Sequence, residues 1–395
     1  MRDVRFLVGG ACMLAIAMGV GRFAYTPLLP LMERDAGLTV SAAGLLAFGN
    51  LLGYLVGASI AMHPGTHARR LTIARFAVVS VIVMTAAMAT TSILWLPMRF
   101  LTGVSSGFVL IFASSIVLDR AARAGKPAWP PLFFSGVGLG IAFSGIAVPA
   151  FAAVGGSRAA WLGIAAVSAA VFAFTARWFR DDLPSVAVFA AASIANDAGR
   201  IGTFRWLLAI YTAEAFAYVI PATFLVAIVT RIPALASYAA LAWVFVGLAG
   251  ACATFSWIRF AARFGKARAL ALALATQAVG IAAPVVSTNA LAVVVAAGTL
   301  GGTFIAITLF AAGLGRDLYP ANTSLAVSRL TVFYGVGQMI GPLVATELAL
   351  RFGTYGPALS CAAAVAAIAA VVSFSVVRDV ARADVPNVVA TSGAP

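Results

Sequence analysis

Along this chain, apolar residues come in long blocks separated by short polar punctuation, in place of the mixed periods of a soluble helix or strand. Runs of eighteen or more recur from one end to the other, and each can cross a hydrocarbon core about 30 Å thick at about 1.5 Å per residue. The pattern predicts twelve spans, at roughly 6–31, 40–62, 73–92, 93–118, 131–154, 159–179, 204–230, 237–258, 269–287, 290–314, 323–347 and 357–377. Spans three and four, and nine and ten, are joined so tightly that helical hairpins are expected. The longest internal gap, Arg180 to Thr203, holds Asp181, Asp182 and Asp197 with Pro184 and Gly199, and it divides the spans six and six. The expected organisation is a helical bundle over 1–179, a linker over 180–203, a second bundle over 204–377 and a polar tail over 378–395. The fold class is an all-α membrane protein of two pseudo-symmetric six-helix bundles.

Composition agrees with that picture: the chain is 63% apolar and 10% charged, against about 25% charged in soluble domains. A net charge of +14 would suggest nucleic acid in a soluble protein, but here the charges fall between the apolar blocks. Nineteen of the 26 Lys and Arg, from Arg2 and Arg5 to Arg378 and Arg382, lie in segments that share one side if both termini are cytoplasmic; Arg34, Arg158, Arg231 and Arg351 take the other. Lys and Arg resist translocation, so the basic balance is a topology signal and no nucleic-acid partner is expected. Arg2 and Arg5 before an apolar run resemble a signal peptide, but the run is long and lacks a small-residue cleavage site, so it is expected to remain as the first span. Cys12, Cys252 and Cys361 are isolated in apolar runs, which argues against disulfides and thiolate metal sites. His63 and His67 have metal-like spacing, but Pro64 and Gly65 break the helix that would align them, and neither a metal nor a cofactor is expected.

Three arginines remain at membrane depth: Arg22, Arg99 and Arg329. Arg22 lies about sixteen residues in from Phe6, roughly 24 Å along a helix, too deep to snorkel, so it must face protein or a water-filled cavity. Pro27 and Pro30 follow it; neither can donate to the carbonyls of Phe23 and Thr26, which predicts a bend in the outer half of the span with free backbone acceptors. Glu214 in span seven has Tyr211 and Tyr218 on its own helical face. A carboxyl at that depth is either a proton-exchanging or substrate-contacting acid near Arg22, or one partner of a structural ion pair joining the halves. Arg99, Gly103 and Gly107 form R-x3-G-x3-G in span four, where glycines four apart permit close packing. Arg99, on the side of Thr102 and Ser106, is either a cavity residue or a charge at the outer interface.

Spans five and eleven are rich in glycine: Gly136, Gly138, Gly140 and Gly145 in one, Gly335, Gly337 and Gly341 with Pro342 in the other. Packing explains them; a flexible gating bend is the alternative. The pairs Tyr334 with Gln338, and Asn50 with Tyr54, are candidate hydrogen-bonding groups for a substrate or for neighbouring helices. Arg329 and Glu347 sit near the ends of span eleven and are weaker candidates.

The halves echo each other. Phe23, Ala24 and Tyr25 recur as Phe216, Ala217 and Tyr218, each triplet followed by proline (Pro27, Pro221), and Gly136, Val137 and Gly138 recur as Gly335, Val336 and Gly337. In this register Glu214 aligns with Gly21, one residue from Arg22. Parallel repeats of this kind are expected of two six-helix transporter halves.

The string GVGRFAYTPLLPLM from Gly19 to Met32 resembles the opening signature of the YbfB/YjiJ-type bacterial branch of the major facilitator superfamily, and AEAFAYVIPATF from Ala213 to Phe224 is similar to that branch's seventh span. Arg99, Gly103 and Gly107 match the superfamily's span-four motif, and Gly136, Gly138 and Gly140 partly match its span-five motif. The loops after spans two and eight depart from the pattern: HPGTHARR keeps Arg69 and Arg70, and the segment with Arg263, Gly265, Lys266 and Arg268 is nearer, but both lack the Asp that usually closes an inter-helix charge lock. The resemblance implies the major facilitator fold, an inner membrane location and alternating access of a central cavity, usually coupled to protons. The expected function is secondary transport of a small molecule by a monomer, with a lean towards organic anions because deep arginines outnumber acids, and a drug-like or neutral metabolite as the alternative cargo. A membrane enzyme would need a clustered His, Asp or Cys set, which is not seen; a transporter-like ligand sensor without turnover is the other alternative.

Overall fold

The computed structural model describes residues 2–126, 128–180, 198–319 and 323–383. Ten of its helical segments are long and apolar enough to cross a membrane. The first four helices are α1 (Asp3–Ala36), α2 (Val40–Ala61), α3 (Arg70–Ala87) and α4 (Trp95–Ala124). The segment Trp129–Thr175 holds two crossings, α5 (129–154) and α6 (157–175), broken at Gly155 and Gly156. Gly156 has φ 64° and ψ −156°, a conformation open to glycine because it has no Cβ. Asp35 of α1 accepts the Ser157 N–H there at 2.6 Å and so caps α6. There follow α7 (Ala198–Thr230), α8 (Ala239–Phe264), α9 (Lys266–Val286), α10 (Ala290–Leu318), α11 (Thr323–Phe352) and α12 (Gly356–Ala383). Most of α11 is long but less apolar, because Tyr334, Gln338 and Glu347 interrupt it; counted with the broken pair, it completes the twelve expected crossings. Residues 181–197 of the expected linker lie outside the described residues, as do 384–395 of the tail, while 198–203 are already helical and begin α7.

Glycine sets how closely the helices approach. A Cβ on Gly103 of α4 would lie 2.0 Å from the Asn50 carbonyl oxygen of α2, and one on Gly57 would lie 2.1 Å from that of Val104. The second half repeats the device: a Cβ on Gly301 of α10 would lie 2.0 Å from the Val246 carbonyl of α8. Between halves, α5 packs on α8, α2 on α11 and α1 on α7. Gly138 and Gly145 press on Gly247 and Val244 of α8, while Gly136 and Gly140 press inward on Ala11, Ala15 and Gly19 of α1. In α11, Gly335 meets Leu55 of α2, and Gly337 and Gly341 meet α7. Each expected motif glycine is therefore at a close helix contact, the packing reading.

Two expectations need correction. The loops after α2 and α8 lack the usual Asp, yet each half has an ion pair at the corresponding place, because the carboxylate comes from the end of the next helix but one. Arg70, at the start of α3, pairs with Asp119 of α4, and Lys266, at the start of α9, pairs with Asp317 of α10 at 2.7 Å. The irregularity of α1 also lies before the prolines, although Pro30 remains inside the outer helix. Its irregular stretch is a π-helical segment, Ala15–Phe23, and Pro27 falls in the first turn of the regular helix Tyr25–Ala36 that follows, where a missing N–H costs little.

Replacing Gly103 with Val must push α4 off α2, and overpacking of this kind costs about 1–3 kcal/mol. A lower melting temperature in detergent is expected for Gly103→Val, measured by intrinsic fluorescence. Gly202→Ala, with nothing within 4 Å of the added carbon, is expected to leave it unchanged.

Candidate functional site

Near the middle of the fold, four helices bring polar side chains together. Arg22 of α1 is 7% exposed, and its Nη2 donates to the Tyr218 hydroxyl of α7 at 2.9 Å. The same hydroxyl accepts from Gln338 Nε2 of α11 at 2.6 Å. The guanidinium lies 5.0 Å from the ring centroid of Tyr54 on α2 and 5.1 Å from that of Phe23, where an aromatic face attracts a cation. Among the described residues no carboxylate comes within ion-pair distance of Arg22. The positive charge is held by rings and a hydroxyl, and it remains uncompensated.

Next to it is a small cavity, with room for little more than water, lined by both halves: Arg22, Asn50 and Arg99 from the first, and Val219, Ala222 and Thr223 from the second. Tyr218 belongs to an aromatic row. It stacks on Tyr334 at 6.0 Å, which stacks on Tyr211 at 4.3 Å, and on its other side Tyr218 meets Phe304 of α10 at 6.0 Å.

Arg99 is 3% exposed, which removes the outer-interface alternative. Its Nη1 donates to the Gly21 carbonyl at 2.9 Å and its Nη2 lies 3.5 Å from that of Arg22, acceptors left at the end of the π-helical turns. Ser106 adds a bond to the Ala17 carbonyl at 2.6 Å. Arg99 thus repairs the backbone of α1 as well as lining the cavity, whereas Arg22 bonds across to the second half. Asn50 lines the cavity, and its Nδ2 donates to the Arg99 carbonyl at 2.9 Å, tying α2 to α4. Tyr25 bonds the Ala43 carbonyl at 3.0 Å and lies under the Arg99 guanidinium. The equivalence of Tyr25 and Tyr218 in the repeat is therefore one of position and not of role.

Glu214 is 1% exposed, and the ion pair with Arg22 considered from the sequence does not form. The carboxyl turns into the second bundle and accepts from Gln277 Nε2 of α9 at 3.2 Å. Glu347 pairs with Arg351 at an exposed surface, and Arg329 is exposed, so neither joins the site. Pro221 lies beside the apolar contact of α7 with α9 and α10, and the carbonyl of Pro342 lies near Gly44 of α2. His63 accepts the Gly65 N–H through Nδ1; the side chain of His67 lies outside the described residues. Sequence reading overlooked Gln277, Thr26 and Thr223. Gln277 had a signal, a single amide inside ALALALATQAVGIAAPVV; the two threonines had none, because threonine is common in spans.

A bundle of long apolar helices in two halves, with arginines buried at a small cavity between them, has the architecture of a membrane transporter. The chain belongs to the major facilitator superfamily, in the family described as "Uncharacterised MFS-type transporter YbfB", whose model matches residues 14–374. Solved structures agree on the fold. A point mutant of the nucleoside transporter NupG superposes with a TM-score of 0.72 at 14% identity, over 94% of this chain and 99% of that one. The D-xylose–proton symporter gives 0.71 at 13%, over 94% and 97%. A bacterial homologue of the human lysosomal transporter Spinster, inward-facing and unoccupied, gives 0.66 at 17%, over 96% and 98%. No curated protein sequence matches the chain significantly.

Because Arg99 satisfies carbonyls of an irregular helix, Arg99→Met leaves them buried and unbonded. Hydrogen bonds from charged groups are worth about 1.5–3 kcal/mol, so a lower melting temperature is expected even without any substrate. The distance between spin labels on α1 and α4 is expected to broaden in the same variant.

Proposed function

We propose that this protein is a proton-coupled secondary transporter for a small organic anion, working by alternating access of the cavity beside Arg22. The observation that carries the substrate reading is that charge: a buried guanidinium lining a cavity between two halves, with no carboxylate partner among the described residues. An arginine at membrane depth is expensive, and an anionic group of the cargo would compensate it whenever the site is filled. The arginine also senses both halves at once, through Tyr54 on one side and Tyr218 on the other. Protons enter the reading through Glu214, a carboxyl buried at mid-span without an ion partner. The D-xylose transporter that shares the fold is named a proton symporter, so this fold accommodates proton coupling.

Charge distribution supports a bacterial inner membrane orientation with both termini, and the linker over 180–203, in the cytoplasm. In that orientation the described polar contacts between halves are central or periplasmic. Thr26 Oγ1 donates to the Ala222 carbonyl at 2.6 Å. Trp243 Nε1 of α8 donates to Ser144 of α5 at 3.2 Å. Arg231 lies 3.8 Å from Glu33 and over the Tyr355 ring. A Cβ on Gly44 of α2 would lie 2.0 Å from Thr346 Oγ1 of α11. These contacts are consistent with a state closed towards the periplasm.

Purified protein in proteoliposomes, screened with organic anions with and without an imposed pH gradient, tests the reading. A gradient-stimulated flux is expected. Arg22→Ala should weaken substrate affinity by about thirtyfold or more, because losing one side of a buried charge contact costs about 2–5 kcal/mol. In Glu214→Gln the flux should no longer follow the gradient. Binding without flux would identify a sensor, and flux indifferent to the gradient in the native protein would remove proton coupling.

For orientation, a reporter fused at Asp197 is expected to be active in the cytoplasm; periplasmic activity would reverse the assignment.

A further inference from the structure

Outside the cavity, the interior of the second bundle holds an unbalanced pair of side chains. Glu214 does not line the cavity beside Arg22. Its Oε1 accepts from Gln277 Nε2 at 3.2 Å, while Glu214 Oε2 and Gln277 Oε1 are both buried without a hydrogen-bond partner. An ionised carboxylate accepts only, and an amide carbonyl likewise, so an ionised Glu214 leaves both oxygens unbonded. An unbonded buried acceptor costs about 1–3 kcal/mol, more if charged.

Among the described residues the Glu214 carboxyl has no further hydrogen-bond partner, and polar side chains of the other helices of the bundle are engaged elsewhere. Tyr211 and Tyr218 on α7 and Tyr334 on α11 feel the carboxyl electrostatically, but none bonds it. Arg22 of α1 spends its contact on Tyr218. On α10, Thr308 interacts with Tyr211 and bonds the Phe304 carbonyl. On α12, Ser373 bonds the Ala370 carbonyl. On α8, Trp243 bonds Ser144. Among the described residues no Lys or Arg lies within ion-pair distance of Glu214.

We propose that Glu214 carries a proton in this conformation and that Gln277 holds it there as a reciprocal acid–amide pair. Glu214 Oε2–H donates to Gln277 Oε1, and Gln277 Nε2–H donates to Glu214 Oε1. One proton, taken from water, gives both unbonded oxygens a partner, and returning it to water restores the carboxylate; no other bond changes. The amide serves both states, since its N–H2 still donates to the ionised form. Gln277 is therefore a positioning residue: it touches the titrating carboxyl and not the substrate. The consequence for transport rests on the reading of Glu214 as the coupling acid, whereas the pair itself is observable without transport.

Infrared difference spectroscopy on the full-length protein in lipid vesicles, titrated through neutral pH, reads the pair directly. A carboxylic C=O band that disappears in Glu214→Gln is expected in the native protein at neutral pH, at the lowered frequency of a hydrogen-bonded acid. In Gln277→Met the band should move to higher frequency, because the acid has lost its acceptor. In Gln277→Glu, where a second carboxyl closes the same reciprocal pair, it should return towards the native position. Absence of the band from the native protein at neutral pH, or an identical band in Gln277→Met, overturns the proposal, and the native measurement decides even where a variant fails to fold. The two readings separate cleanly. An unshifted band with gradient-dependent flux keeps proton coupling and removes the pair, while a shifted band with gradient-indifferent flux keeps the pair and removes the coupling.

Discussion

The hydrogen bond from Arg22 to Tyr218 joins the two halves of the molecule at mid-depth, and it places a positive charge where lipid tolerates none. The surrounding structure makes that position bearable. The rings of Tyr54 and Phe23 face the guanidinium, the second half supplies a hydroxyl, and the cavity gives the remaining charge somewhere to look. The π-helical turns of α1 are part of the same arrangement. They need outside donors for their carbonyls, and Arg99 and Ser106 provide them. Two arginines therefore share one problem: both line the cavity, and Arg99 also stabilises the backbone that carries Arg22.

Helix count, hairpins and the glycine contacts were legible in the sequence because each has a local cause. A span must be long and apolar, and a glycine ridge must be repeated every four residues. Roles within the site were less legible. Arg22 and Arg99 look alike in sequence, both lone cations in apolar runs, and only the approach of α4 to α1 shows that one bonds carbonyls. Asn50 and Gln338 look alike too, yet the first ties α2 to α4 and the second reaches Tyr218 across the second bundle. A side chain's partner is a property of tertiary packing, which no spacing rule encodes.

Ion pairing shows the same limit in another form. A motif written for one loop looks for its acid in that loop, while the charge requirement belongs to the place in space. Here Asp119 and Asp317 meet it from the ends of α4 and α10. Both halves made the same displacement, so the pairs follow the repeat although the loop sequences do not.

The internal repeat also explains why the site is lopsided. Two copies of one six-helix plan would present equivalent groups to the shared axis, and a symmetric pair of cations or acids there would repel. Instead the first copy keeps Arg22 and the second places a hydroxyl, Tyr218, against it. Glu214, whose counterpart in the first copy is the glycine beside Arg22, is turned away from the cavity into the interior of its own bundle. Cargo charge and proton charge can then be compensated in different compartments of the fold while remaining linked through α7, which carries both Tyr218 and Glu214 one turn apart. A change in protonation inside the second bundle acts on the helix that holds the arginine's partner, and this is a physical route by which the two events can be coupled without the acid and the arginine ever touching.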